Sequence, residues 1–552
     1  MASSYAGKGL GRLALPGLVG LAGWLGLATV CAAQIIPDST LNTEASVVLP
    51  GEAIAGSSAV TIGGGAQRSQ NLFHSFLEFS VGTGEQVYFA NPADVSSIFT
   101  RVTGSQLTEI QGTLGVAGPA DLYLLNPNGF LFGETARLDI PGSLLVSTAE
   151  NLTFADGFRY VASPTLEDEV LTVSVPWGLQ TGLPTQGTIR NQGQLTTSPG
   201  QSVTFLGQRI EQNGSLTVAG GTLRLLGETV TLASGAVADV SGPGGGGNLL
   251  IGGAFQGDDS LPRATQTVIE PGATLRADAL DQGEGGLIVV WADDVTQFLG
   301  LASARGGTSG GNGGLVEVSA IGQLHYGGLV DTTAPQGTTG VLLLDPTTIE
   351  VVAAGADTTD LTQVNEFGDP NLDPANRRTR IAASALEGAL ANVVLQATDD
   401  IIFNADVFMV TPGVGLTAEA GRDITVNRFI QTTGSGDISF LAGRNITFNG
   451  AEAYAWSYGG EVELNAGNSI FLLNGAQVDT APFEGNSGNL LVNAQRLTMT
   501  NGAQLKTGPV FNGAGGNLTV NVADTVALSG VGFDGFGNFG STGLIANSLL
   551  FG

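Results

Sequence analysis

The chain has 552 residues, of which 85 are Gly, with 42% hydrophobic and only 12% charged side chains and a formal net charge of −29. This composition excludes a helical bundle or coiled coil, glycines without a three-residue period exclude collagen, and the apolar share excludes extended disorder. The acidity repels nucleic acid and anionic lipid, which leaves an all-β chain rich in turns.

Residues 1–33 read as a secretory signal peptide. Lys8 and Arg12 precede the apolar run Leu13 to Val30, and Cys31-Ala32-Ala33 supplies the small residues that place cleavage between Ala33 and Gln34. A transmembrane anchor is the competing reading, weakened by Pro16 and the glycines within a run of barely spanning length. A lipid anchor at Cys31 is disfavoured by the bulky Val30 before it. No second hydrophobic span follows, so no transmembrane span is expected in the mature chain. Cys31 is the single cysteine, so disulfides contribute nothing after processing.

Residues 71–149 carry the most specific pattern. Leu122 to Leu125 is a predicted buried strand, and Asn126-Pro127-Asn128-Gly129 is a turn in which Pro fixes φ while Asn and Gly accept left-handed backbone. Phe130 to Phe132 returns as a strand, followed by Gly133 and Ser147-Thr148-Ala149. Turn chemistry accounts for each residue of the corner; direct contact with a partner is the alternative. An upstream Asn91-Pro92, followed by Ala93-Asp94, repeats the motif in part.

This segment resembles the secretion domain of filamentous haemagglutinin-type exoproteins, over about residues 34–270. Phe130 stands where the family usually has Ile, Val or Leu. The resemblance implies export by two-partner secretion, through an outer-membrane β-barrel transporter with periplasmic domains. It also implies a secreted or cell-surface location on a Gram-negative-type bacterium, reached via the periplasm.

Coils follow. Residues 202–221 align with 222–241, matching Val203 with Leu223, Phe205 with Leu225 and Ile210 with Val230. Further units start at Gly286-Leu287, Gly314-Leu315 and Gly340-Val341, within predicted β-helix coils over 271–354. The glycine runs 244–247 and 305–314 are expected to be flexible excursions between coils. Residues 355–390, with the cluster Arg377-Arg378-Thr379-Arg380, break the repeat as an irregular insertion, either a short helix or an inserted loop.

From 391 to 552 the repeat is plainest. Apolar pairs two residues apart recur at Val393/Leu395, Leu416/Ala418, Ile438/Phe440 and Val462/Leu464, and a second series at Ile401/Phe403, Ile424/Val426, Ile446/Phe448 and Ile470/Leu472. After the second strand comes Asn404, Asn427, Asn449, Asn474 or Asn501. Stacked amides forming a ladder, or ordinary turn composition, both account for that recurrence. Such units bury their apolar face only by stacking, which predicts a parallel β-helix with an N-terminal secretion and capping domain. Right-handedness follows from the resemblance and the crossover preference. The final residues, from Gly543 to Gly552, read as an incomplete coil.

A non-enzymatic exoprotein acting in surface adhesion or aggregation is the expectation, toward an unidentified surface receptor or glycan, with no cofactor. The alternatives are a β-helix enzyme acting on polysaccharides and the carrier stem of a contact-dependent toxin lacking its toxic domain. For the enzyme, Asp293-Asp294 and Asp399-Asp400 are the paired carboxylates, although adjacent acids in a bend are more simply turn formers. His74 and His325 read as structural residues, not as acid–base groups.

Overall fold

The computed structural model describes residues 34–54, 57–164, 171–174, 176–181, 187–355 and 378–547. The expected signal segment, including Ala33, lies outside these residues, and Gln34 opens the first strand, Gln34–Pro37.

Period-two alternation sets the architecture. In Asn392–Ala397, Val393 and Leu395 are buried while the residues between them are half-exposed. Val393 lies opposite Leu416, Leu416 opposite Ile438, Ile438 opposite Val462, and Val462 opposite Leu490, every pairing parallel. Ile401, Ile424, Ile446, Ile470 and Leu497 form a second column. Stacking these columns buries one continuous core, and the result is a parallel β-solenoid of about 17 turns. Each buried Leu or Ile contributes about 1.5–3 kcal/mol relative to exposure, so the columns are the main source of cohesion.

Coils contain three strands where the sequence pattern showed two. Ser202–Leu206, Arg209–Gln212 and Ser215–Thr217 pair in parallel with Thr222–Leu226, Thr229–Leu232 and Val237–Asp239. In the later coils Val407–Met409, Phe429–Thr432, Tyr454–Ser457, Gln477–Asp479 and Gln504–Thr507 form the third wall. Their inward residues are few and varied, such as Val407, Ile430, Ala455 and Val478, which hides the period.

Antiparallel strands close the first end. Gln34–Pro37 and Ala66–Arg68 both pair antiparallel with Asn71–Ser80, and Ser46–Ile54 forms a hairpin with Ser57–Gly64. Asn71–Ser80 then pairs in parallel with Ser97–Val102, which starts the stack. A small antiparallel sheet of Asn151–Phe154, Arg159–Val161 and Pro176–Thr181 flanks it. Phe73, Phe99, Phe154 and Tyr160 pack together as its own core.

The glycine runs correct one expectation. They are not loose excursions. A Cβ on Gly286 would collide with the Gly247 carbonyl, one on Gly314 with that of Gly286, and one on Gly340 with that of Gly314. Gly283 donates its N–H to the Gly310 carbonyl at 2.8 Å, and Gly285 to that of Asn312 at 2.9 Å. Backbone stacks on backbone here, at a spacing that leaves no room for a side chain.

The stretch 355–390 is not irregular throughout. Arg378–Ala382 is a strand and Ala383–Glu387 a short helix. Thr379 and Ile381 point inward, so the strand pairs with one edge of Thr348–Val352, while Ile401–Phe403 pairs with the other. Residues 356–377, Arg377 among them, lie outside the described residues; Arg378 and Arg380 lie 3.4 and 3.2 Å from Glu350, which partly neutralises them.

Near the other end, Val531–Phe533 and Phe539–Ser541 form a hairpin that folds back, setting Phe536 against Phe429 and Tyr454. Gly543–Ala546 then pairs in register with Gln504–Thr507.

Candidate functional site

The corner at 126–129 is built from the strand Asp121–Leu125, whose inward Leu122 and Leu124 anchor it. Asn126, the next residue, is fully buried. Its Nδ2 donates to the Gln106 carbonyl at 3.0 Å and to Thr108 Oγ1 at 2.9 Å, so the side chain bonds to the coil beneath. Its Oδ1 accepts from the Asn128 N–H at 3.0 Å and Asn128 Nδ2 at 2.9 Å. Asn128 Nδ2 also donates to the Gly104 carbonyl at 2.8 Å. Gly129 has φ +115°, and a Cβ there would press on the Thr188 carbonyl at 2.7 Å. Beyond the turn, Phe130 and Phe132 are buried, and Phe132 stacks on Phe205 with ring centroids 5.5 Å apart. Phe130 thus fills the inward position that a branched aliphatic residue would also fill. Only Pro127 and Asn128 of the corner reach the surface.

Asn91-Pro92 follows the strand Gln86–Phe89, which belongs to a different sheet from Asp121–Leu125, so the two motifs occupy different corners of the solenoid. The Asn91 amide lies 3.0 Å from the Pro92 and Val95 carbonyls and 3.1 Å from the Ala120 N–H. The Val95 N–H donates to the Pro92 carbonyl at 2.9 Å, closing a turn. Both motifs therefore bond to the coil next to them.

Along the later coils, Asn427 Nδ2 donates to Asn404 Oδ1 at 2.8 Å, Asn474 to Asn449 at 3.1 Å, and Asn501 to Asn474 at 2.9 Å. Asn474 and Asn501 have φ of 58° and 54°, the left-handed geometry of a tight corner.

Arginine engages Asp293, Asp399 and Asp400. Asp293 lies 3.0 Å from Arg263, and Asp400 2.6 Å from Arg422, which also approaches Asp399 at 3.7 Å. His74 is buried against Phe76 and Phe89 and shares a 3.0 Å hydrogen bond through Nδ1 with Ser46 Oγ; burial pushes it down to about 3. It stays neutral and structural at neutral pH. Among the described residues no three His, Cys, Asp or Glu gather in a way that holds a metal ion. None of the helices among them is long and apolar enough to cross a membrane.

One buried cation escaped the sequence pattern. Arg101 is fully enclosed in the cap, donating to Ser75 Oγ at 3.0 Å, Thr40 Oγ1 at 3.0 Å and the Val161 carbonyl at 2.9 Å, with its guanidinium 4.6 Å from the Tyr160 ring centroid. Asp38 accepts from Thr40, Ser75 and Thr103, which bind its charged form. This network ties the first strand to the first coils. An Arg inside a short strand with the apolar residues Ile98, Phe99 and Val102, Ser97–Val102, was the available signal.

Comparison with known proteins adds the family. Residues 33–276 match the model of the TPS secretion domain. A heme/hemopexin-binding protein of Haemophilus influenzae is 32% identical over 127 residues, which are 23% of this chain and 13% of that protein. A second Haemophilus influenzae protein of the same name is 31% identical over 93 residues, 17% of this chain and 9% of the relative. The matched stretch is thus a small fraction of the length of these relatives. The crystal structure of the HMW1 secretion domain from Haemophilus influenzae aligns with 82% of this chain and 99% of that one, at 14% identity and a TM-score of 0.31. On the family match, residues 33–276 of this solenoid are a two-partner secretion (TPS) domain, the secretion domain of filamentous haemagglutinin-type exoproteins.

Proposed function

We propose that the chain is an exoprotein carried across the outer membrane by a partner β-barrel transporter with periplasmic domains, and that its outer faces serve attachment to a surface receptor or glycan, or aggregation. The observation that carries this reading is the TPS secretion domain at residues 33–276. Residues 1–33 act as the export signal, cut between Ala33 and Gln34. Residues 34–270 work as the secretion and capping domain, 271–354 and 391–552 as the shaft, and 355–390 as an insertion. The location is the cell surface or medium of a Gram-negative-type bacterium, by way of the periplasm.

Mechanism follows from the stack. Each coil bonds to the coil before it, so a chain emerging from a pore folds onto a template already outside. The cap supplies the first template, and the corner at Asn126 bonds back to the coil before it. Chemistry on a substrate is not part of this reading, since Arg263 holds Asp293 and Arg422 holds Asp399 and Asp400.

The test is expression of the natural gene with and without a candidate transporter. Release that depends on the transporter, with periplasmic retention in its absence, supports the reading; release regardless of the transporter overturns it. Beads coated with the purified protein then report attachment to host or bacterial surfaces.

A further inference from the structure

A cleft of about 720 Å³ runs along one wall of the later coils. Its rim is polar: Gln256, Asp345, Gln396, Glu419 and Asn465. All but Gln256 lie in one column of the ladder. Asp345 and Gln396 directly follow the paired Leu344 and Leu395, Gln396 lies opposite Glu419, Glu419 opposite Leu441, and Leu441 opposite Asn465. Beside the column, Gly421, Gly443 and Gly467 make a bare floor, because a Cβ on any of them would collide with a carbonyl of the preceding coil.

One end is walled by the loop around Gln256. Its backbone N–H donates to Glu317 Oε1 and Oε2 at 3.1 and 2.9 Å, and its Nε2 to Gln396 Oε1 at 3.1 Å. These bonds join residues far apart in the chain and fix the wall at that end. Within it, the Asp345 carboxylate makes no hydrogen bond among the described residues, although it is only partly exposed. Burial and the charge of Glu419 push it up to about 6. At neutral pH it is thus an acceptor, and on mild acidification also a donor.

We propose that this cleft is a saccharide-binding groove, in which a neutral glycan strand lies along the solenoid axis, hydrogen-bonding with the polar side chains of the column and resting an apolar ring face on Leu441. This deepens the attachment reading above by giving that function a site and a ligand class. Charge argues for neutrality: two carboxylates and no cation line the cleft, so uronates, sialosides and phosphates are repelled. Gln396 is held in place, accepting from Gln256 and donating its Nε2 to Glu419 Oε2 at 3.4 Å, while the Asn465 amide and the carboxylates of Asp345 and Glu419 offer the donors and acceptors that sugar hydroxyls need. The bare floor admits a flat ring close to the backbone. From Asp345 to Asn465 the column takes four steps of about 4.8 Å, close to the advance per ring of an extended glycan.

The test is calorimetric titration of the purified mature chain with neutral linear hexasaccharides of glucose, mannose and galactose. Binding of at least one is expected, weakened roughly tenfold by Asp345→Asn and by Glu419→Gln, each removing a charged acceptor, and unchanged by Asp294→Asn. If Asp345→Asn alters the circular dichroism spectrum, Glu419→Gln carries the comparison. The inference fails if none of the three sugars binds or if binding survives both variants. It also fails if hexa-arginine or calcium binds the same residues and the sugars do not. The titration needs no transporter, so its failure leaves the secretion reading standing, and failure of the secretion assay leaves the groove standing.

Discussion

Asn126 Nδ2 donates to Thr108 Oγ1 at 2.9 Å, so the most distinctive corner of the secretion domain is stapled by its first side chain to the coil below. Both Asn126 nitrogen contacts are to acceptors, the second being the Gln106 carbonyl. Asn126→Asp places a carboxylate oxygen against that carbonyl and is expected to cost about 2–3 kcal/mol. Urea unfolding of residues 34–276 checks this, and secretion should fall in step with stability. A variant that unfolds like the wild type but is no longer exported would show instead that the corner is read directly by the transporter.

Asn474 does two jobs, holding φ at 58° and bonding to Asn449 and Asn501. Asn474→Gly keeps the backbone geometry and loses the amide; Asn474→Ala loses both. We expect Asn474→Ala to be the more destabilising, by about 1 kcal/mol. Equal losses in chemical denaturation would show that the left-handed backbone carries no cost at this corner.

Gly286 sits where a methyl group would strike the Gly247 carbonyl. Gly286→Ala should therefore cost about 2 kcal/mol or more, through forced separation of the coils. Gly537→Ala is the control, since no atom lies near its Cβ position and any loss there reflects its φ of +80° alone. Thermal melts of the two variants should differ, with Gly286→Ala unfolding first.

Glu317 and His74 give the stability curve two limbs of opposite sign. Burial raises the Glu317 carboxyl from 4.5 to about 7, so the folded state holds its proton more tightly than the unfolded chain. That contribution is full below about 4.5 and is lost as pH rises through 7, on the order of 3 kcal/mol in all. His74 is lowered to about 3, so its contribution is full above 6.5 and is lost as pH falls toward 3. Glu317→Gln should flatten the decline between pH 5 and 8 and leave the acid limb intact. A decline that persists in denaturation midpoints across that range would assign it to other groups.

The inward columns were legible because each coil repeats them. Val393, Leu416, Ile438 and Val462 keep one phase and stand directly over one another. The third wall was not legible, because its inward positions range from Val407 to Ala455 and Ser457 without a common pattern. The glycine runs were misread because composition reports conformational freedom, whereas close stacking at Gly247, Gly286 and Gly314 depends on neighbours a full coil away. The cleft was invisible for a related reason: Gln256 meets Gln396 across 140 residues, through a loop that belongs to no repeat. The Asn-Pro-Asn-Gly residues announced a turn, but the burial of Asn126 and its bonds to the adjacent coil appear only once the coils are stacked.

Interstrand hydrogen bonds in a ladder such as Val393–Leu416–Ile438–Val462 run along the solenoid axis, at right angles to the strands. Tension applied along that axis therefore opens these bonds a row at a time instead of shearing them together. Every turn that yields releases about 70–95 Å of slack, at roughly 3.4 Å for each extended residue. Under tugging, the molecule would behave as a ratcheting shock absorber, lengthening in steps while the turns farther in remain wound.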